Sequence, residues 1–133
     1  MNARRATYID SSALVKLAVR ELESAALRRY IRRRRPLVPS ALARTEVARA
    51  LLSLGPQAIQ RGHDVLDRVD LIRINDRILN AAMAMLPIDV RSLDAIHLAT
   101  AQLLGDELAR IVTYDDRMAA AAKDLGLTVA RPN

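Results

Sequence analysis

Asp10, Glu46, Asp94 and Asp115 stand in four separate segments: Tyr8-Ile9-Asp10-Ser11-Ser12, Ala43-Arg44-Thr45-Glu46-Val47, Ser92-Leu93-Asp94-Ala95-Ile96-His97 and Val112-Thr113-Tyr114-Asp115. Each lies at or near a handover from a strand or turn to a helix. Carboxylates gathered at one point repel and raise one another's pKa. Such a cluster persists chiefly around a hard divalent cation, and oxygen donors select Mg²⁺ or Mn²⁺. The chemistry of that centre would be hydrolysis of phosphate esters.

Each acid also has a plainer role. Asp10 suits a turn or a cap, and Asp94, in a first helical turn, suits the helix dipole. Glu46 lies inside a helix beside Leu42 and Arg49, where a surface or Arg-paired residue is the alternative. Asp115 and Asp116 are adjacent and point to different sides. The Thr113-x-Asp115 spacing from a strand end makes Asp115 the expected fourth acid, with Asp116 capping the last helix. His97 shares a helical face with Asp94, but its flanks Ile96 and Leu98 favour a buried structural histidine over a ligand. Ser11 and Thr113 are either orienting groups for carboxylates and waters or simple caps.

To bring these residues together the chain must alternate strands with helices. A strand over Ala6 to Ile9 leads to a helix capped by Ser11-Ser12. A second helix runs from Ser24 to Arg34, closed by Pro36, and a minimal strand Leu37-Val38 follows. Ser40 caps a helix from Ala41 to about Leu54, and Gly55-Pro56 turns into a further helix from Gln57 to Arg68, forming a hairpin. Leu71 to Ile74 reads as a strand, and Asn75 or Asp76 caps a helix through Met85 that Pro87 ends. Ser92 caps a helix carrying Leu93, Ile96, Thr100 and Leu103 and stopping at Gly105. Strand Arg110 to Thr113, helix Asp116 to Leu125, a Gly126 cap and strand Thr128 to Ala130 complete the chain. The expected fold is α/β, a central parallel sheet with helices on both faces, in one domain across residues 1–133. Ligands of such sheets bind at the carboxyl ends of the strands, where Asp10 and Asp115 fall.

Charge sharpens this expectation. The net charge is +6, although the proposed site is acidic, and only Lys16 and Lys123 among the 21 cationic residues are lysines. A basic surface around an acidic pocket favours a polyanion, and guanidinium forks match phosphate. The run Arg32 to Arg35, after Arg28-Arg29, reads first as a solvated helix end complementing the dipole. With no cysteine and two isolated histidines, thiolate and zinc chemistry are excluded. Three tyrosines are the only aromatics, which argues against a base-stacking platform. No apolar run reaches membrane length, and no long apolar segment follows Arg4-Arg5 as a twin-Arg export signal requires, so a cytoplasmic protein is expected.

The stretches Tyr8 to Leu17, Pro39-Ser40 through Thr45-Glu46-Val47 with Arg49-Ala50-Leu51, Leu93 to Ala101, and Val112-Thr113-Tyr114-Asp115 together resemble PIN-domain ribonucleases. The closer likeness is to the VapC toxins of bacterial toxin–antitoxin pairs, across essentially the whole chain. That resemblance implies a PIN-like three-layer α/β/α fold, with Asp10, Glu46, Asp94 and Asp115 as the family's acidic residues holding one or two Mg²⁺ or Mn²⁺ ions. It also implies cleavage of structured RNA such as tRNA or rRNA, a homodimer, and a VapB-type antitoxin that blocks the site within a larger complex. The Asp115-Asp116 doublet is the one departure. A haloacid-dehalogenase-type phosphatase would need an acid where Ser12 stands, and a response-regulator receiver fits Ile74-Asn75-Asp76 poorly. A non-catalytic module binding nucleic acid or protein through its basic surface is the alternative of a different class.

Overall fold

The structure is a computed structural model that describes residues 5–133, so Arg4 of the Arg4-Arg5 pair lies outside the described residues. Four parallel strands form one sheet: β1 (Ala6–Ile9), β2 (Leu37–Val38), β3 (Leu108–Val112) and β4 (Val129–Ala130), in the order β2-β1-β3-β4. Seven α-helices are described: α1 (Ser11–Ala18), α2 (Ser24–Ile31), α3 (Ala43–Leu51), α4 (Pro56–Leu66), α5 (Asp76–Met83), α6 (Ser92–Leu103) and α7 (Asp116–Asp124). Single 3₁₀ turns follow α3 and α6.

Side chains alternate across the sheet, and each face has its own core. Ile9, Leu37 and Val112 pack with Leu14, Leu27, Val47 and Leu51 beneath α1–α4. Tyr8, Val38 and Ile111 pack with Leu98, Met118 and Ala122 beneath α6 and α7. A parallel sheet is stable only when both faces are covered, and the two layers supply this, each buried Leu, Ile or Val contributing roughly 1.5–3 kcal/mol. The three-layer α/β/α arrangement is the expected one.

Several boundaries differ from the sequence reading. The strand expected over Leu71 to Ile74 is reduced to one parallel bridge, Ser40 to Ile72. The segment does run along β2, with the Asp70 and Ile72 amides donating to Leu37 and Pro39 carbonyls at 2.9 Å. The rung between these two bonds, to the Asp70 carbonyl, needs an amide proton from Pro39, which has none, so the pairing is left as a single bridge that closes with the Ala41 amide donating to the Ile72 carbonyl. Asp10, not Ser11-Ser12, caps α1, accepting from the Ala13 amide. Helix α6 starts at Ser92 itself without a side-chain cap. Helix α3 starts at Ala43, because the Ser40 hydroxyl accepts from the Leu42 amide and holds that stretch as a turn. Helix α2 ends at Ile31 and α5 at Met83, each short of the proline expected to close it.

The α3–α4 hairpin places the helix carrying Glu46, and Gly62 sets how closely the two helices pack. A Cβ at Gly62 would meet Leu51 Cδ1 at 2.6 Å and Val47 Cγ1 at 3.4 Å. Gly62→Ala should therefore destabilise by about 1–3 kcal/mol from overpacking, against a helix-propensity gain of about 1 kcal/mol. Chemical denaturation measures the difference, and a more stable variant would show that Leu51 yields freely.

Candidate active site

Asp10 sits where β1 becomes α1 and is 3% exposed. Its Oδ1 accepts from the Ala13 amide at 3.1 Å and the Ser12 hydroxyl at 2.5 Å, while Oδ2 accepts from the Thr113 hydroxyl. Cap and site residue are thus one group, because the strand-to-helix turn that needs a cap also faces the carboxyl ends of the strands. Burial pushes the Asp10 carboxyl above its usual range, while the Ser12, Thr113 and Ala13 donors and the nearby His97 act against that push.

Thr113 reaches Asp10 because β1 and β3 are neighbours, Ile9 pairing with Val112. The Asp115 amide donates to Thr113 Oγ1 at 3.1 Å, and the Tyr114 amide donates to Ser12 Oγ at 2.9 Å. Two hydroxyls therefore tie the turn after β3 to the turn after β1. Ser12 and Tyr114 had no assigned part in the sequence reading beyond cap and flank, since nothing local marks contacts across about a hundred residues.

Glu46 is half-buried and paired with His97 and not with an arginine. Its Oε1 accepts from Ser11 Oγ and from His97 Nε2, both at 2.6 Å, leaving Oε2 outside these bonds. Burial raises its pKa, but the His97 and Ser11 hydrogen bonds outweigh burial and hold it below the usual carboxylate range. His97 is buried, as expected, with both ring nitrogens engaged. An ionised Glu46 can only accept, so Nε2 is assigned the proton and Nδ1 accepts from the Tyr8 hydroxyl at 2.6 Å. That oxygen in turn accepts from the Ser40 amide at 3.2 Å. Tyr8 was overlooked in the sequence, although a hydroxyl in a fully buried strand always needs a partner.

Asp94 occupies the first turn of α6, half-buried. Its carboxyl is raised first by burial, then by the charge of Asp115 and less by Asp10, with His97 and Arg91 offsetting part. Asp115 is the N-cap of α7, accepting from the Met118 amide at 2.9 Å. Asp116 turns away and pairs with Arg131 at 2.6 Å on the surface. Asp115→Asn should therefore reduce activity far more than Asp116→Asn, by about 10-fold or more against little change. Parallel rate measurements decide it, and a severe loss confined to Asp116→Asn would reverse the assignment.

Among the described residues no group of three His, Asp or Glu side chains already stands at metal-holding spacing. The donors are nonetheless all carboxylate oxygens, and the charges of Asp115 and Asp10 add to burial in raising the Asp94 carboxyl, a repulsion that a cation relieves. The residues present fit a hard divalent ion. Arg44 and Arg49 are exposed on the Glu46 helix. In the basic run, Arg34 folds back over the Tyr30 ring and donates to its carbonyl, and Arg35 donates to the Arg68 carbonyl, which accords with a helix-end role.

The PIN domain family model matches residues 7–124. Ribonuclease VapC46 of Mycobacterium tuberculosis is 59% identical over 128 residues, covering 96% of this chain and 98% of that protein. Among solved structures, Mycobacterium tuberculosis VapC20, described as a Sarcin-Ricin loop cleaving toxin, superposes with a TM-score of 0.76 at 18% identity, over 95% of this chain and 99% of that one. A toxin–antitoxin complex from Klebsiella pneumoniae contains a chain that superposes at 0.70 with 23% identity, over 96% and 98%. Family model, relatives and fold agree: the chain belongs to the PIN-domain family, within its VapC ribonucleases.

Proposed function

We propose that this chain is a VapC-type endoribonuclease toxin, dependent on Mg²⁺ or Mn²⁺, that cleaves structured RNA such as tRNA or rRNA and so inhibits translation. The observation that carries the reading is the crowding of carboxylates at the strand ends, where Thr113 bonds both Asp10 and the Asp115 amide, and where burial and then repulsion from Asp115 and Asp10 raise the Asp94 carboxyl. A non-catalytic binding module has no use for that repulsion. A phosphatase of the haloacid-dehalogenase kind would need an acid at Ser12, whose hydroxyl here serves Asp10.

Asp10 and Asp94 would hold the principal cation, with Glu46 and Asp115 completing its surroundings or placing a second ion. Held there, a divalent cation would lower the pKa of a water and polarise the phosphoryl oxygens. Ser12 and Thr113 hold the Asp10 carboxylate in one orientation. Ser11 and His97 do the same for Glu46, so that Oε2 is the oxygen turned to the reaction. Exposed arginines such as Arg44 and Arg49 bind the RNA backbone, giving affinity with little sequence information.

The same reading makes the chain one cytoplasmic domain that forms a homodimer and is neutralised by a VapB-type antitoxin in a larger complex. Among the described residues no helix is long and apolar enough to cross a membrane. An antitoxin guanidinium entering among the acids would compete with the cation, so raising Mg²⁺ at fixed ionic strength should weaken inhibition.

The test is cleavage of total RNA by the purified protein, with 5′ ends mapped, in Mg²⁺, Mn²⁺ and EDTA. Discrete cleavage lost in EDTA is expected. Its KM should rise about 10-fold or more from low to physiological salt if several phosphates are contacted, and Arg44→Ala or Arg49→Ala should weaken turnover more than neutralising Arg32 to Arg35. Cleavage indifferent to EDTA, or none at all, would end the proposal.

A further inference from the structure

Beside Asp94 an open cleft of about 420 Å³ runs between the loop before α6 and one face of α7. That size lies within the roughly 300–1,000 Å³ range of small-molecule sites. Its walls carry Arg91 and Arg117, Asp89 and Asp124, over an apolar floor from Pro87, Val90 and Ala121. None of these four charged side chains is in an ion pair among the described residues. All four are exposed, so their charges are available to a ligand.

The charges are ordered. Arg117, Ala120, Ala121 and Asp124 line the cleft from α7 at spacings of three and four, so they form one helical stripe. Asp115 caps the start of α7, which puts Arg117 at the end near the acids and Asp124 about 10 Å further along the axis. Arg91 stands at the start of α6, close enough to Asp94 to lower its pKa. Along α7 the cleft therefore grades from cationic Arg117, on the side of Asp94 and Asp115, to anionic Asp124 at its far end. A nucleotide has the complementary order and a comparable reach, from phosphate through ribose to the Watson–Crick edge.

We propose that this cleft is a subsite for a guanine nucleotide next to the scissile bond, with Arg91 and Arg117 on its phosphate and Asp124 or Asp89 on its base. The proposal rests on the ribonuclease reading. A carboxylate only accepts hydrogen bonds, and guanine alone offers adjacent N1–H and N2–H donors that both its oxygens can take. Adenine and cytosine offer one amino group there. Uracil sets a single N–H between two carbonyls that repel a carboxylate. The apolar floor covers one face of the base without an aromatic ring.

The test is titration of the ¹⁵N-labelled full chain with GMP, IMP and UMP in EDTA, where no cleavage occurs. GMP should shift the Ala120 and Ala121 amides and bind about tenfold more tightly than UMP, as a good bidentate base contact implies, with IMP, which lacks the 2-amino group, between them. Arg117→Ala should weaken all three alike. Asp124→Asn or Asp89→Asn should remove the preference for GMP over UMP, and the spectra of both variants report whether each is folded. Equal binding of GMP and UMP to the wild type, shifts confined to other surfaces, or a preference intact in both Asp variants would overturn the subsite. Because the readout is binding without metal, a wild type that prefers GMP yet never cleaves RNA would refute the ribonuclease reading instead.

Discussion

Asp10→Asn and Asp94→Asn should each abolish RNA cleavage and relieve toxicity while the fold persists. Each removes a charge from the place where a cation would stabilise the transition state, and several kcal/mol lost there corresponds to about 10³-fold or more in rate. The fold should survive because Asn is as good a helix cap as Asp, so the Ala13 amide keeps its acceptor. Metal-free stability should move the other way. Burial raises the Asp10 pKa, so its ionised form costs folding free energy above the folded pKa, and acidification through that pKa relieves the cost. Asp10→Asn removes it at neutral pH, and Asp94→Asn removes a charge that Asp115 and Asp10 repel. Thermal unfolding in EDTA beside a cleavage assay tests both halves. A variant that cleaves at the wild-type rate would mean that the acids at the strand ends are caps and nothing more.

His97→Ala should be the most damaging change to a residue outside the carboxylate set. It strips Glu46 of its strongest donor, leaves the Tyr8 hydroxyl without its acceptor, and opens a hole in the core beneath α6. An unsatisfied buried group costs about 1–3 kcal/mol and the cavity adds to it, so a loss of roughly 3 kcal/mol is expected. Metal affinity and rate should fall about 10–100-fold, as when an orienting partner of a ligand is removed. The pH dependence follows from Glu46. Its pKa is lowered, so the stability it contributes is present above the unfolded carboxylate pKa and disappears as pH falls through the folded one. In His97→Ala that acid-side loss should shrink. Tyr8→Phe separates the two effects: it keeps the imidazole beside Glu46 and removes the hydroxyl that meets its Nδ1, together with the acceptor of the Ser40 amide. Calorimetric Mn²⁺ titration of the three proteins checks this, and wild-type affinity in His97→Ala would leave His97 a packing residue.

Much of the architecture was legible because it rests on local rules. Alternating short apolar runs and periodic helices point to a parallel sheet covered on both faces, and the four acids are visible because each follows a strand or opens a helix. The Leu71–Ile74 strand was misread for an equally local reason that lies in another segment: Pro39 withholds the donor that a second rung would need. The caps at Ser11-Ser12 and Ser92 were misplaced because side-chain direction, not residue type, decides which oxygen meets the first free amide.

By itself the sequence determined the family and the fold class and offered the four acids as candidate donors, since composition and the order of motifs do not depend on folding. Only the tertiary structure decided how those donors are held. Ser11 to Glu46, Ser12 to Asp10, Thr113 to Asp10 and Tyr8 to His97 to Glu46 are hydrogen bonds, most of them between residues far apart in the chain. Their existence depends on β1 lying beside β3 and on α3 and α6 meeting over the strand ends, and no local pattern encodes a hydrogen bond whose partners meet only after the sheet has formed.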